Sequence, residues 1–549
     1  MRNRVFLVLF ACLAAWSVAA QKGKLIVVEQ ADHFDIDEVN MPGAALLTGH
    51  VRVSHEGAVM TCNKAYFFKN ENYLKAFGEV QLVQGDTLYL NSEYAEYNGN
   101  VKMAFATGHP VMRSPDMTLR TDTIHFDRNK QEAYYNSPGT IVNKENTLKS
   151  QSGRYYAREK KTRFLTAVTV TNPKYVLKSN HLDYYNNAGH AYLFGPSTIT
   201  GTNGDFIYTE KGFFDNRRNV GHFLNKSYIK YKDRRIEGDS LYYDRAREFA
   251  SATRNVKITD TINKGVARGH YAEVYKQKDS MFITKRAVVV SFVDNDSVYV
   301  HGKRILVTGK PGSRVVRAWP NARYFKTDLT GKCDSIHSDE KTSLTKLIGK
   351  PVMWNGENQL TGDVMHLIGN NETQKLDSLK VLQNTFIISK DSAGTGYNQV
   401  KGIFLYGKFK DNKLHEADVV KNAEILYYMR NDDDRLIGIN KSFCSRINLQ
   451  LVDNKVDEIT QYDKPDSDLY PEKDLPENAR LLKGFVWRGD EMIRTKDDIF
   501  PPEENEIDAA MQAAKKKDDA KADTPMKVRK ETKDYDKNHP GEKKVPAVN

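Results

Sequence analysis

From about residue 45 the chain alternates apolar and polar side chains over short runs, and the runs repeat. Glu237-Gly-Asp-Ser-Leu-Tyr-Tyr-Asp244 is the clearest example: Asp239 is followed by Leu241 and Tyr243 at the second and fourth positions. The spacing recurs as Asp122–Ile124–Phe126, Asn180–Leu182–Tyr184, Asp296–Val298–Val300 and Asp363–Met365–Leu367, with looser copies starting at Asn63, Glu93, Gly153, Asp205, His270 and Asp334. Successive anchors lie 25 to 38 residues apart, about 30 on average. Self-similarity at a period of that size marks a stacked-repeat architecture, because one unit cannot bury its own apolar stripe and needs neighbours on both sides.

Each unit reads in two halves. The leading half starts at a glycine and continues as an alternating run: Gly49-His-Val51-Arg-Val53, Gly78-Glu-Val80-Gln-Leu82, Gly108-His-Pro110-Val-Met112. The trailing half is the Asp-anchored run. Both have period two, the period of a strand with one dry and one wet face. Glycine at the unit start allows positive φ, and Asp or Asn at a second corner accepts hydrogen bonds from nearby backbone N–H groups. Asn98-Gly99, Asn186-Asn187 and Asp244-Arg245 supply further turns. No stretch between 45 and 310 keeps a helical period over ten residues. The fold class predicted is all-β, a stacked-strand, solenoid-like body with a first strand at 24–28 and a turn at Met41-Pro-Gly43.

The texture changes at Lys310-Pro-Gly312, and Trp319, Trp354 and Trp487 all lie beyond it. The domain reading is therefore a repeat region over 22–312, a second β region over 313–500 and a charged tail over 501–549. Strands are expected around Phe386-Ile-Ile388, Ile403-Phe-Leu405 and Ile425-Leu-Tyr-Tyr428, with a loop at Asp463-Lys-Pro-Asp-Ser-Asp468. The tail is too poor in apolar residues to order itself. One short helix over 505–517 is its exception, with Ile507, Ala510, Met511 and Ala514 on one face.

Composition adjusts this picture at a few points. The formal net charge of +11 suits an anionic partner such as a phosphate-bearing lipid, an acidic glycan or nucleic acid, although Lys515-Lys516-Lys517 in the tail supplies part of it. Residues 1–20 read as an export signal: Arg2 and Arg4, then an apolar run too short to span a bilayer, then Val18-Ala19-Ala20 as the cleavage site. A lipoprotein signal using Cys12 is the alternative. The mature chain keeps Cys62, Cys333 and Cys444, too few for a disulfide scaffold, with one bridge between Cys333 and Cys444 left open.

Catalytic chemistry is sought and not found. His415-Glu-Ala-Asp-Val419 lacks the second histidine of a helical zinc protease, there is no nucleophile elbow or phosphate loop, and Asn431-Asp-Asp-Asp434 lacks calcium-loop spacing. The recurring Asp anchors invite comparison with sugar-cleaving β-helices, which need two carboxyl groups about 5–10 Å apart. A residue type repeated in nearly every layer is more simply a corner. No catalytic residue, metal ligand or cofactor is assigned, and the expectation is a non-enzymatic protein. The apolar stripe has two readings: a closed core, or a long groove in which alkyl chains bury at roughly 25 cal/mol per Å².

The Gly-x-Val/Pro starts at Gly49, Gly78 and Gly108, with the trailing strands at Asp122-Thr-Ile124, Asp239-Ser-Leu241 and Asp363-Val-Met365, resemble the OstA-like family. That family includes the LptA-type periplasmic bridge of lipopolysaccharide export and the LptD-type soluble N-terminal region of the outer-membrane translocon. Pro351-Val-Met-Trp354 and Gln359-Leu-Thr-Gly-Asp363 look like the longer two-region version of Bacteroidetes-type bacteria. The resemblance implies a β-jellyroll of V-shaped strands, open along one side, that conveys lipopolysaccharide or another envelope lipid toward the outer membrane. It implies a periplasmic site, partners that are other β-jellyroll components of the bridge and translocon joined by edge-strand pairing, and no nucleic-acid partner. The groove-lining residues would be Ile124, Phe126, Leu182, Tyr184, Leu241 and Tyr243, with Arg234, Arg235 and Arg268 as candidates for lipid phosphates. The chain departs from the family's shorter and longer forms in exceeding a minimal bridge and in carrying a charged tail after Phe500 where a membrane barrel would begin.

Overall fold

The computed structural model describes residues 24–522, except 37–38, 40, 87, 263, 294–295, 374, 412, 432 and 453–454. The expected export signal and the tail beyond 522 lie outside the described residues. Within them the chain forms 42 antiparallel strands, a few 3₁₀ turns and one helix, Pro502–Ala522. Contacts divide the described residues into two compact units, one running to 263 and including 271–278, the other made of 264–270 and the residues from 279 onward. The texture change near 312 falls inside the second unit: Lys310 to Ser313 is an ordinary turn between Arg304–Thr308 and Val315–Trp319.

In the first unit the strands are bent. Ala45–His55 pairs with Ala58–Phe68, but the register slips between Thr48 and Val51. The next pairs slip at the same level, between Thr61 and Lys64 and between Phe77 and Val80. Further along, the bend interrupts the strand altogether, as between Met103–Thr107 and Val111–Ser114. Every strand therefore has two arms, here called arm a (45–48 in the first case) and arm b (51–55). Arm a pairs only with arm a: Leu47, Ala65, Ala76 and Ala95 stand opposite one another in series, all buried. Arm b pairs with arm b through Val53, Met60, Leu82 and Leu90, also buried.

The bends have two chemistries that alternate from strand to strand. On one strand two successive residues take positive φ: Gly49 (75°) with His50 (42°), Gly78 (73°) with Glu79 (46°), Gly108 (76°) with His109 (56°), Gly349 (86°) with Lys350 (53°). The neighbouring strand bends at an acid or amide that packs onto that pair. A Cβ on Gly49 would come 2.3 Å from Asp32 Oδ2, and one on Gly108 would come 2.6 Å from Glu93 Cβ. At some bends without glycine an asparagine serves: Asn255 donates to Asp239 Oδ2 at 2.7 Å, and Asn384 to Asp363 Oδ2 at 2.8 Å. The glycine and aspartate anchors thus stand side by side at one bend rather than at two corners of a unit. Asp205 and Asp296 are exceptions, placed beside turns at arm ends.

The second unit keeps the bent ladder with longer strands, up to Lys413–Arg430. The expected loop after Asp463 is instead a bend, Asp463-Lys464 at positive φ, followed by the strand Asp466–Tyr470. Residues 471–500 then cross one face of arm b. Leu475, Leu482, Phe485 and Trp487 pack on Phe386, Ile388, Leu426, Tyr428 and Ile439. Two fully buried glutamines tie this strap down. Gln359 donates to Val486 O at 2.8 Å and accepts from Arg488 N at 2.7 Å; Gln399 donates to Arg480 O at 2.9 Å and accepts from Leu482 N at 2.8 Å. Each side-chain amide satisfies one backbone donor and one acceptor of a segment that joins no ladder.

Cys62, Cys333 and Cys444 are free thiols, all buried, so the bridge left open for Cys333 and Cys444 is not formed. Burial pushes the Cys62 thiol up to about 11 and that of Cys333 up to about 12.

Candidate functional site

The interior of the first unit is built from small and large residues set against each other. The six positions singled out in the sequence all lie on arm a with their side chains removed from solvent: Ile124, Phe126, Leu182, Tyr184, Leu241 and Tyr243 are each at most 3% exposed. Phe126 stands between Ala104 and Ala133, Tyr184 between Thr162 and Ala191, and Tyr243 between Gly221 and Ala250. The small neighbours leave room for each ring, which is how a sheet face accepts aromatics at close strand spacing. Arm b presents an aliphatic ladder of Leu177, Ile199, Ile207, Ile229, Ile236 and Ile258 in register, each buried. Burying each such side chain stabilises the stack by about 1.5–3 kcal/mol.

The free ends of the two arms meet. At the first of these contacts the Tyr97 hydroxyl lies 2.6 Å from His55 Nδ1, and Arg128 donates to the Tyr97 hydroxyl at 2.7 Å and to the His55 carbonyl at 3.0 Å. Lys102 pairs with Glu56 at 2.6 Å beside them. Further along, Asn146 donates to the Tyr184 hydroxyl at 2.9 Å and Tyr175 bonds Asn216. The rings of Tyr175 on arm b and Phe214 on arm a pack edge to face, centroids 5.2 Å apart. At the last contact Lys276 donates to Asp205 Oδ2 at 2.5 Å, with both side chains 2% exposed, and Tyr243 donates to the same carboxylate. The Lys276 ammonium also sits 4.2 Å from the Tyr231 ring centroid. Burial, and then the Asp205 carboxylate, push the Tyr243 hydroxyl well above its ordinary range.

These contacts form a polar latch along the seam where the V would otherwise gape. The sequence reading missed it. Tyr243 entered there as a lining residue, but its hydroxyl is a latch member, and Asp205 entered as a loose repeat anchor. Lys276, Arg128, Asn146 and Asn216 carry no motif. Their only signal is a polar residue in a turn, which nearly every turn has.

The three arginines proposed for lipid phosphates differ in their surroundings. Arg234 is buried; Arg235 pairs with Glu237 at 2.8 Å and stacks on Tyr228 at 3.8 Å; Arg268 is exposed and belongs to the second unit.

In the second unit the contacts described at the arm ends run along each arm instead of between arms. Arg430 holds Asp391 with two hydrogen bonds at 2.8 and 2.5 Å, and Lys375 pairs with Asp411 at 2.9 Å. The inner face remains apolar through Leu347, Met365 and Val381, and Met429 on arm b is 40% exposed.

Each unit also offers a terminal edge. His33–Ile36 pairs with Ala45–His55 and leaves Phe34 and Ile36 more than 60% exposed. Lys455–Tyr462 and Asp466–Tyr470 end the second ladder. Such edges are templates for another strand. Among the described residues no helix is long and apolar enough to cross a membrane, and no group of three or more His, Cys, Asp or Glu is placed to hold a metal ion. The aspartates at the bends bond to the adjoining bend, as Asp239 and Asp363 do above.

Comparison with protein families matches residues 23–180 to the model described as OstA-like protein. Comparison with curated proteins gives no match.

Proposed function

We propose, from the match of residues 23–180 to the OstA-like model, that this chain is an exported, non-enzymatic lipid carrier. In this reading it conveys lipopolysaccharide across the periplasm toward the outer membrane. The single observation that carries the proposal is the pair of facing apolar walls, arm a with Ile124, Leu182 and Leu241 and arm b with its aliphatic ladder. Acyl chains have the same surface chemistry as those walls and would replace wall-to-wall contact at little net cost. The latch sets the condition for entry: in the first unit the arm ends must part before a chain enters. The terminal edge of each unit suits pairing with another β-jellyroll component.

Photo-crosslinking side chains at 124, 182 and 241, introduced one at a time in cells, test this. Adducts with lipopolysaccharide at all three positions are expected. Reaction with solvent-borne quenchers and never with lipopolysaccharide sinks the proposal.

A second reading follows from the burial itself. A wall removed from solvent and latched shut is also what a structural scaffold of the envelope needs, with no lipid inside. Depletion separates the two: newly made lipopolysaccharide stalls at the inner membrane if the chain carries it and reaches the surface normally if the chain is a scaffold.

A further inference from the structure

The C-terminal helix is docked by the wrong face for a helix held by apolar packing. Ile507, on its expected apolar face, is 53% exposed. The positions turned inward are Glu504, Asp508, Met511 and Lys515, one side of the helix at spacings of four, three and four. What they meet is cationic. Arg286 Nη1 lies 3.7 Å from Asp508 Oδ2, its Nη2 donates to Asn505 Oδ1 at 2.8 Å, and its guanidinium stacks on Phe500 at 3.8 Å from the ring centroid. His270 Nε2 lies 3.1 Å from Asp508 Oδ1.

Beneath the first turn of the helix, within the second unit, is a cavity of about 730 Å³. Lys303, Arg323, Lys332 and Lys350 line its strand side together with Asp334, and Glu503 and Glu504 line its helix side; Arg323 Nη1 also donates to the Asp498 carbonyl at 3.0 Å. A further pair, Arg488 with Glu491, neutralises itself through hydrogen bonds of 2.7 and 2.9 Å. Lys332 lies 3.7 Å from that glutamate; among the described residues Lys303, Arg323 and Lys350 form no ion pair within 4 Å. The four cations sit at strand ends and bends of a rigid ladder, so their convergence does not depend on a flexible loop. Such a gathering is costly: burial pushes both Arg323 and Lys332 below their ordinary values, and Arg323 adds repulsion to Lys332.

The helix supplies the opposite charge poorly. Glu504 Oε2 has no hydrogen-bond partner and stands 3.9 Å from His301 Nε2, which also has none. His301 is fully buried, with its Nδ1 2.7 Å from the carbonyl of Ala287. Burial holds Glu504 above the usual carboxylate range. Four carboxylates therefore line the space, Asp334 and Glu491 besides Glu503 and Glu504; Arg488 holds Glu491, and Glu504 Oε2 stays unbonded across a space large enough for a further polar group.

We propose that this cavity binds a phosphate monoester through Lys303, Arg323, Lys332 and Lys350, and that Glu503 and Glu504 occupy the place of its negative charge until it enters. A phosphate monoester brings close to two negative charges and three strong acceptor oxygens on one atom, which suits four convergent donors better than two separate carboxylates. A soluble sugar phosphate and a lipid headgroup share this chemistry, and both forms are tested. This site does not depend on the lipid-carrier reading, since a soluble sugar phosphate suffices to occupy it.

The test uses the full chain and calorimetric titration with glucose 1-phosphate, with glucose as control. In parallel, phosphatidylcholine vesicles are used with and without phosphatidic acid. Saturable one-to-one binding of glucose 1-phosphate but not glucose is expected. Arg323→Gln should weaken it about tenfold, the loss of one charge-assisted hydrogen bond, and Arg323→Lys should restore part of that loss. Glu504→Gln removes a competing charge and should tighten binding severalfold. Selective recruitment to phosphatidic acid vesicles, sensitive to Arg323→Gln, identifies a lipid phosphate as the source; binding of the sugar phosphate without recruitment identifies a soluble one. Failure of the native chain and of the Glu504→Gln variant to bind either probe overturns the proposal. So does binding that Arg323→Gln leaves unchanged while tryptophan fluorescence shows the second unit folded.

Discussion

The two units use one bent-strand ladder and finish it differently. In the first, arm b turns Thr169, Thr171, Lys178, Thr198 and Lys230 outward and leaves that face to water, while the arm ends are joined by the latch. In the second, the same side of arm b carries Trp354, Phe386, Ile388 and Leu426 and is covered by residues 471–500, while the arm-end contacts described run along the arms. The repeat thus settles only the inner walls. Which remaining surface is closed depends on what lies outside the repeat: buried polar groups in turns for one unit, an apolar outer face and a following strap for the other.

The sharpest way to break the contrast is at the latch. Lys276→Met leaves Asp205 charged and unpaired in a buried site and should cost the first unit about 3–5 kcal/mol. Combining it with Asp205→Leu should recover most of the loss, because the pair goes together. Hydrogen exchange of first-unit amides checks both. Tryptophan emission, which beyond residue 20 arises only from Trp319, Trp354 and Trp487 in the second unit, should not move.

At the strap, Leu482→Ala opens a cavity among Phe386, Ile388 and Leu426 and should cost about 2–5 kcal/mol of docking. Faster exchange and cleavage confined to 471–500, with the first unit unaffected, is the expected result.

Acid should separate the units further. Burial holds the His301 imidazole down at about 4, against an ordinary value of 6.5, with Arg286 and Arg323 repelling its charged form. A base with a lowered folded pKa takes up protons more readily when unfolded. Its stabilising effect is therefore complete above about pH 6.5 and is lost as the pH falls toward 4, on the order of 3 kcal/mol in all. Glu504, raised by burial, works in the opposite sense and partly offsets it. Urea midpoints read by tryptophan at pH 7.5 and 4.5 should converge in His301→Gln.

The smallest effects lie at the bends. Gly108→Ala places a Cβ 2.6 Å from Glu93 Cβ at a φ of 76° and should cost about 1–3 kcal/mol. Gln383→Gly, at a φ of 66° in the second unit, should relieve strain and gain about 0.5–1 kcal/mol. Thermal unfolding measures both, and equal effects would mean that the two kinds of bend carry equal strain.

Much of this was legible in the chain. The period of about 30, the two-residue alternation and the glycines at 49, 78, 108 and 349 mark the ladder, and all six wall residues are buried. Bends at Asn225-Lys226, Lys285-Arg286 and Lys421-Asn422 escaped notice, because polar pairs of that kind occur in any turn. The helix over 505–517 was also legible, though it runs from 502 to 522. Its docking face was not: the rule of burying Ile507 and Ala510 holds only when the receiving surface is apolar, and here that surface carries Arg286 and His270.

By itself, then, the sequence determined the ladder and its dry walls, because alternation and turn chemistry act between residues close along the chain or one repeat apart. Only the tertiary structure decided the closing of the seam, the covering of arm b and the face by which the helix docks. Each depends on partners 30 to more than 200 residues away, as for Tyr97 with Arg128 and Arg286 with Asn505. Charge and hydrogen-bonding capacity of that kind leave no periodic trace, because a polar residue serves a latch, a cavity wall or open solvent equally well until the fold supplies its neighbour.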